Sequence, residues 1–571
     1  MVNKTSDLIN SKNDVTVEPV ANAVSEIPAL ASQFIHEGRF DLAVKHCQSL
    51  VKMAPEDWKS HYTLAFCLNK TGDLKSAKLS ARIAAERAPE EYAVQLLYAE
   101  LCNADGDWDS YEQISIVLSL LNKNNPATQK VLGIIAEHKG DILSAEAYFA
   151  KVVEYDPVNI DNVMTMGAFY LRYGNIGKGL ELFADTLERV PQSHQIWNNM
   201  GYCFLVLKQL ENARDCYLKA LSFCPGNVMY LSNTGHVCHA LGEYEKALEM
   251  YRKGLTIQPD CAGVRYNMSL TLLALGQFDE GWAEYELRWK SPAFSHCDRS
   301  FGGLPVWNQL LGNYTRILVW QEQGMGDAIQ FIRYIPYLQK SGISVTVFCD
   351  ESLRRLILTV DGVERVITSE TEIADCDCRL PMLSLPFALG INQIPHDVNY
   401  IRIDKELVQS YKRFINRNGK MKVGLVWGGN PNHHNDKFRS FHIGSARILF
   451  DLQNVEYYSL QKGDYGKDIQ NSDLPIIDLS PHISDFFDTA AIMKNLDLVI
   501  SVDTAPLHLA GAIGVPVWGV IPRDADWRWM QHRADTPWYP SMKLYRNTVE
   551  GEWGDIFERI RVDLMAFSKL R

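Results

Sequence analysis

The sequence predicts two architectures in series: a superhelix of short helical repeats over 26–290, then an α/β region of two lobes over 316–571. Three observations predict it. Prolines stand at 55, 89, 157, 191, 225 and 259, in steps of 34 or twice 34, and a period of that length marks a stack of helical hairpins. Beyond residue 316, apolar strand runs alternate with helical patterns, the order of a parallel sheet covered by helices. Twice in that region a strand runs directly into glycines, at 316–321 before Gln323-Gly324-Met325-Gly326-Asp327 and at 422–427 before Gly428-Gly429-Asn430. A Rossmann-like half begins in this way.

Composition excludes several classes. A chain of 571 residues is too long for one core and calls for several domains. Hydrophobic residues make up 46% and charged residues 22%, the balance of a globular protein. The net charge of −12 argues against a nucleic-acid partner. The 12 cysteines are scattered, and the nearest pair, Cys376 and Cys378, lacks metal-finger spacing. Free thiols in a reducing compartment are therefore expected. Residues 1–25 are polar and expected to be disordered, without the apolar stretch of a signal peptide. No run approaches the roughly 18 apolar residues that span a bilayer. The expectation is a soluble, cytoplasmic protein.

Within the first region, Trp197, Gly201, Phe204, Ala213, Tyr217, Ala220 and Pro225 sit at the offsets of a tetratricopeptide repeat. One period later come Gly235, Ala247, Tyr251, Gly254 and Pro259; one period earlier come Gly167, Tyr170, Phe183 and Pro191; earlier still are Gly133, Ala145, Phe149 and Pro157. Small residues let paired helices approach, aromatics fill the gap, and Pro ends the second helix. About eight hairpins are expected over 26–290, each stable only against its neighbours. Such arrays bind a protein segment in their concave groove. Asn199, Asn233 and Asn267 recur at 34-residue steps on the first helix of a repeat, with Thr165 and Val131 at the earlier equivalents. An amide both donates and accepts, so these three are candidates to hold an acceptor peptide by its backbone.

A Gly-, Pro- and Ser-rich stretch, 291–315, reads as a linker. A first lobe follows over 316–415 and a second over 416–571. In the second lobe an apolar strand at 498–500 breaks into Ser501-Val502-Asp503-Thr504-Ala505-Pro506, then a small-residue helix from 507, then a strand at 516–520. Ligands gather at the carboxyl ends of such strands, and Asp503 and Thr504 lie where a helix start offers free N–H groups to an anion. His508 is four residues beyond Thr504 and faces the same way.

Four blocks carry a family resemblance: EGWAEYELRW at 280–289, QEQGMGDAIQFIRYIP at 321–336, GLVWGGNPNHHNDKFRS at 424–440, and SVDTAPLHLAGAIGVPVWGVIPRDADWRW at 501–529. They resemble a group of glycosyltransferases fused to tetratricopeptide repeats, related to the lipopolysaccharide heptosyltransferases and including flagellin glycosyltransferases. The resemblance implies a two-lobed GT-B fold with its active site in the cleft, and a metal-independent, inverting transfer from a nucleotide sugar to Ser or Thr hydroxyls of a protein acceptor, flagellin foremost. It implies no bound cofactor, the nucleotide sugar being a co-substrate. The protein O-GlcNAc transferases, similar in plan, use an asparagine ladder of the kind seen at Asn199, Asn233 and Asn267. Two other readings stay open: transfer to a lipopolysaccharide or polysaccharide, and a non-catalytic repeat scaffold. The first lobe here is shorter than in heptosyltransferases, and Ala505 replaces their usual Gly.

The resemblance also implies roles. Asp327, in the Gly324-Met325-Gly326-Asp327 turn, would be the general base, with Gly324 and Gly326 admitting the substrate close to the backbone. Lys437 would neutralise the diphosphate, with Arg439 beside it. Gln461 and Lys462, at the end of another strand, would face the nucleotide, and Asp503, Thr504, Ala505 and His508 would hold phosphates and sugar. Asp485 and Asp488 are weak candidates to grip a ribose. No metal is expected: His433, His434 and the triplets Asp375-Cys376-Asp377 and Asp524-Ala525-Asp526 lack a suitable setting.

Overall fold

The computed structural model describes residues 29–291, 294, 298–307, 314–395, 399–416, 418–433, 435–531, 533–547 and 552–569. The expected disordered tail and His434 lie outside the described residues. The chain forms two compact units, one up to Cys224 and one from Pro225 to Arg571.

The first unit is a stack of helical hairpins, from Ala29–His36 and Phe40–Met53 to His194–Val206 and Leu210–Phe223. The repeat chemistry explains the hairpin. Gly72, Gly106 and Gly140 end first helices in the left-handed region, with φ of 86°, 72° and 77°, a conformation glycine adopts without strain. The next residue each time is Asp73, Asp107 or Asp141, whose carboxylate caps the second helix by accepting the N–H of Ser76, Ser110 or Ser144. Between the paired helices, a Cβ on Gly133, Gly167 or Gly201 would lie 2.6, 2.3 or 2.8 Å from the rings of Phe149, Phe183 and Tyr217. Each glycine thus seats the aromatic found sixteen residues later. Gly201→Ala is expected to cost about 1–3 kcal/mol through overpacking, read as a lower midpoint in thermal unfolding; an unchanged midpoint would mean that Tyr217 moves freely.

The second unit opens with two further hairpins, Val228–Ala240 with Tyr244–Ile257 and Ala262–Ala274 with Phe278–Tyr285, then a short 3₁₀ turn, Glu286–Lys290. Two parallel sheets follow. The first contains β1 (Arg316–Trp320), β2 (Ser344–Phe348), β3 (Val363–Ile367) and β4 (Cys378–Pro381), in the order β3-β2-β1-β4. The second contains β5 (Met421–Val426), β6 (Val455–Ser459), β7 (Ile476–Asp478), β8 (Leu498–Val502), β9 (Val517–Ile521) and β10 (Met542–Arg546), in the order β10-β9-β8-β5-β6-β7. The expected strands all form, within a residue or two. After the glycine turn the chain is helical in two pieces, Met325–Phe331 and Ile335–Lys340, joined by a 3₁₀ step, with Pro336 in the first turn of the second.

Strand alternation sorts the cores. In the second sheet Val423, Leu425, Leu498, Ile500, Val502, Trp518 and Val520 face one cluster, closed by Ile556, Phe557, Ile560 and Leu564 of the last helix. Val426, Val499, Val517 and Ile521 face the other. That second cluster is shared with the first sheet and with Tyr244, Leu273, Trp282 and Tyr285 of the two hairpins.

This corrects the expected organisation at two points. The helical array does not end as a separate body near 290, because its last two hairpins belong to the same compact unit as the sheets. The Trp282 ring meets Phe331 edge-on at 5.8 Å and Trp527 at 5.5 Å. The described part of the expected linker is also ordered against β4. Val306 bridges to Arg379, Arg379 pairs with Asp298 at 2.7 Å, and Phe301 packs on Trp320 and Phe348. A chain rich in Gly and Pro can still dock when one aromatic in it finds a hydrophobic seat.

Candidate functional site

In each sheet the strand order reverses direction at one place. In the second sheet this lies between β5 and β8; in the first, between β1 and β4. A crevice opens at the carboxyl ends of strands on either side of such a point. The segments that leave β1, β5 and β8 there are 321–324, 427–440 and 503–504; they carry Gly324, Lys437, Arg439, Asp503 and Thr504, while Gly326, Asp327, Ala505 and His508 lie in the helices that follow.

The helices Met325–Phe331 and Ala505–Ala512, one after each sheet's central strand, meet near their N-termini. A Cβ on Gly326 would lie 2.9 Å from His508 Cδ2 and 3.5 Å from Ala505 Cα, so only glycine allows the approach. Asp327 stands in the first turn of its helix, where the Gly324 N–H donates to Oδ2 at 2.9 Å. Its Oδ1 is 2.6 Å from Arg528 Nη2. Burial pushes the Asp327 carboxyl above its ordinary range, Arg528 pulls it back, and the neighbouring Asp526 adds to the rise.

Arg528 is buried and completes the corner. Its Nε donates to Gln330 Oε1 at 2.7 Å and its Nη1 to Asp526 Oδ1 at 2.8 Å, and its guanidinium stacks 4.3 Å from the Trp527 ring. Asp503 has its carboxyl raised to about 6, by burial first and then by Asp526, against the pull of the Trp529 N–H, Arg439 and Arg528. A folded-state value above the usual 3.8 means that Asp503 favours folding only while protonated. That contribution is full below about pH 4 and lost as pH rises through 6. Relative to Asp503→Asn, the wild-type protein is expected to lose stability over that window in chemical denaturation; a constant difference would place the titration elsewhere.

His508 is buried with Nδ1 3.0 Å from the Tyr539 hydroxyl and its ring stacked on Trp529 at 5.1 Å. Burial, with Arg528 and Arg333 nearby, holds its pKa well below 6.5, so any contact it makes is that of a neutral imidazole. Thr504 starts the Ala505–Ala512 helix without a side-chain cap, and its buried hydroxyl has no partner.

Arg439 joins two of the loops. It donates from Nη1 to the Asp503 carbonyl at 3.1 Å and pairs through Nε with Asp436 at 3.3 Å. Asp436, buried, also accepts from Ser440 Oγ and Tyr465 Oη. Lys437 is exposed, its ammonium 4.7 Å from the Phe438 ring. It makes no ion pair among the described residues.

Three of the expected contacts involve side chains already engaged within the chain. Gln461 is not open to a ligand: its Oε1 accepts from the N–H groups of Trp427 and Gly428, and its Nε2 donates to the Gly428 and Lys462 carbonyls. Lys462 turns to the carbonyls of Ser480 and Ile483. The asparagine series is partly engaged inside the stack. Asn199 is buried with Nδ2 2.6 Å from Met164 Sδ, and Asn267 Nδ2 donates to Ser232 Oγ at 3.3 Å. Asn233 is half-buried and also has a partner.

The acidic triplets have structural duties. Asp377 accepts from the N–H groups of Thr315 and Arg316, and Asp526 caps the Trp527–Trp529 turn. Asp485 and Asp488 pair with Arg355 across the lobes at 3.0 and 3.1 Å. Among the described residues no His, Cys, Asp and Glu group is arranged to hold a metal ion. The described cysteines are free thiols. No described helix is long and apolar enough to cross a membrane.

No motif in the sequence marks Arg528 as a site residue, although a basic residue inside Trp527-Arg528-Trp529 must find counter-charges if those tryptophans are buried; Arg288, Glu322 and Tyr539 are likewise outside any motif's candidate residues.

A tetratricopeptide repeat family model matches residues 192–260. Protein FlbA of Caulobacter vibrioides is 26% identical over 330 residues, which cover 51% of this chain and 52% of that protein. The match therefore spans about half of FlbA. Among solved structures, a tetratricopeptide repeat protein from Parabacteroides merdae aligns with 44% of this chain and 99% of its own at a TM-score of 0.37 and 14% identity. Yeast Tom70 aligns with 45% of this chain and 56% of its own at 0.37 and 17%, and MamA with 29% and 90% at 0.26 and 21%. The chain thus carries tetratricopeptide repeats, a protein-interaction scaffold, followed by a region of parallel sheets and helices.

Proposed function

We propose that this chain is a metal-independent glycosyltransferase of the GT-B type, inverting, that moves a sugar from a nucleotide-sugar donor to a Ser or Thr hydroxyl of a protein acceptor, with flagellin the foremost candidate. The observation that carries the reading is the meeting of the two helix starts, Gly326 against Ala505 and His508, with Asp327 on one side and Arg439, Asp503 and Thr504 on the other. An acceptor hydroxyl would lose its proton to Asp327 while its oxygen bonds to the sugar's anomeric carbon. The bond from that carbon to the diphosphate would break on the opposite face, leaving its electron pair on the phosphate oxygen. Arg439, Lys437 and the N–H groups of the Ala505–Ala512 helix would take up that charge.

Calorimetry with UDP, GDP, CDP, ADP and dTDP tests the donor half. One of them is expected to bind, and Lys437→Ala to weaken it at least ten-fold, since a charge-assisted contact contributes about 1.5–3 kcal/mol. Failure of all five to bind would favour the scaffold reading. Transfer is also expected to persist in excess EDTA; loss restored by manganese or magnesium would return the acidic triplets to consideration. The acceptor half is tested by replacing Asn199, Asn233 and Asn267 together with Ala. Loss of modification with nucleotide affinity intact supports holding by the groove, and full modification places the acceptor elsewhere.

A further inference from the structure

Arg528 holds its surroundings through three arms. Two are well-formed hydrogen bonds, Nε to Gln330 and Nη1 to Asp526. The third differs in kind: Nη2 lies 2.6 Å from Asp327 Oδ1, yet it makes no well-directed hydrogen bond although it is buried. Asp327 meanwhile has Oδ2 held by the Gly324 N–H and Oδ1 held by charge alone. Arg528 thus lowers the proton affinity that burial would otherwise give this carboxylate. The same corner holds the buried, unpartnered hydroxyl of Thr504 and the start of an eight-residue helix, both suited to an anion.

We infer that Arg528 is a shared guanidinium, which transfers its Nη2 arm from Asp327 to the diphosphate of an incoming nucleotide and thereby frees Asp327 to act as a base only once the donor is seated. The inference rests on the reading that the cleft takes a nucleotide diphosphate. A diphosphate carries more charge than one carboxylate and offers oxygens in the geometry a guanidinium fork prefers. The Gln330 and Asp526 arms hold the planar guanidinium in place, and Nη2 carries two N–H groups, so a diphosphate can take up Nη2 without the side chain moving. With its counter-charge drawn away, Asp327 keeps its burial and its proximity to Asp526 and Glu322, all of which favour the proton. Arg528 is then a positioning residue for the base and a binding residue for the leaving group.

A double-mutant cycle on the full chain tests this, with inorganic pyrophosphate as the probe and calorimetry as the readout. Asp327→Asn keeps an acceptor for the Gly324 N–H and releases Arg528, so it is expected to tighten pyrophosphate binding about five-fold, the size of an ordinary pairwise coupling. Arg528→Gln is expected to weaken binding at least ten-fold. With Arg528→Gln present, the gain from Asp327→Asn is expected to vanish. An equal gain in both backgrounds would mean that only a negative charge had been removed, and would overturn the inference while leaving the diphosphate reading intact. No binding by the wild-type protein would overturn both.

A second readout needs no Arg528 variant. Calorimetry in buffers of different ionisation enthalpy is expected to show a small excess of proton uptake on pyrophosphate binding by the wild type over Asp327→Asn, well below one proton, because Asp327 gains proton affinity while staying mostly ionised. Equal uptake would overturn the inference.

Discussion

Arg288→Ala is expected to destabilise the second unit by about 3–5 kcal/mol, the loss seen when one partner of a buried ion pair is removed. Arg288 is fully buried. It pairs with Glu322 at 3.0 Å and Glu286 at 2.8 Å, donates to Ser384 Oγ at 2.7 Å, and stacks over Tyr285 and Trp289. Without it Glu322 keeps its burial and loses its cation, although burial already lifts that carboxyl to about 7. Glu322 sits two residues before Gly324, and Gln323 donates to Tyr285 Oη at 2.9 Å. The last repeat therefore fixes the turn that carries Asp327. For the same reason, residues 225–571 are expected to fold cooperatively alone, whereas 291–571 is expected to be insoluble, with Trp282, Tyr285 and Arg288 missing. Chemical denaturation of Arg288→Ala checks the first expectation. A midpoint within about 0.5 kcal/mol of wild type, the range of ordinary surface substitutions, would show that the repeat and the sheet are energetically independent.

Asp327→Asn is expected to lower transfer by about 10²–10⁴-fold, the usual contribution of a positioned general base. The fold is expected to survive, because the amide oxygen still accepts the Gly324 N–H and neither lobe loses apolar contact. Nucleotide affinity is expected to hold or improve by a few-fold, since Arg528 no longer divides its charge. A purely structural carboxylate would give the opposite pattern: a fall in thermal midpoint with the rate per folded molecule unchanged. Turnover near that of wild type would remove Asp327 from the mechanism.

Much of the fold was legible because its rules are local. The 34-residue step fixed the hairpins, and the pairing of Gly201 with Tyr217 recurs as Gly133 with Phe149, Gly167 with Phe183 and Gly235 with Tyr251 because the close helix–helix approach seats the ring. The strands before Gly324 and Gly428 were legible because apolar runs that end in glycine have few alternatives. Asp503 and Thr504 stood out because helix starts after parallel strands are where ligands sit, whereas Gly326, Asp327 and Arg439 were reached through the family resemblance. What escaped depends on distant pairing. Nothing near Trp282 reveals that it will meet Phe331 and Trp527, so the array's last hairpins read as a separate domain. Nothing near Gln461 tells whether its amide faces a ligand or the backbone of Trp427 and Gly428. Arg528 owes its place to Asp327, Asp526 and Gln330, two of which lie about two hundred residues away in sequence.

The central claim is that the cleft transfers a sugar to protein hydroxyls with Asp327 as the base. Its most direct test is mass spectrometry of the proteins of cells expressing the full chain, wild type or Asp327→Asn, at matched levels. The account predicts Ser- or Thr-linked sugar mass increments, on flagellin first, that are present with the wild type and absent with Asp327→Asn. The same modified peptides in both, or in neither, would contradict it.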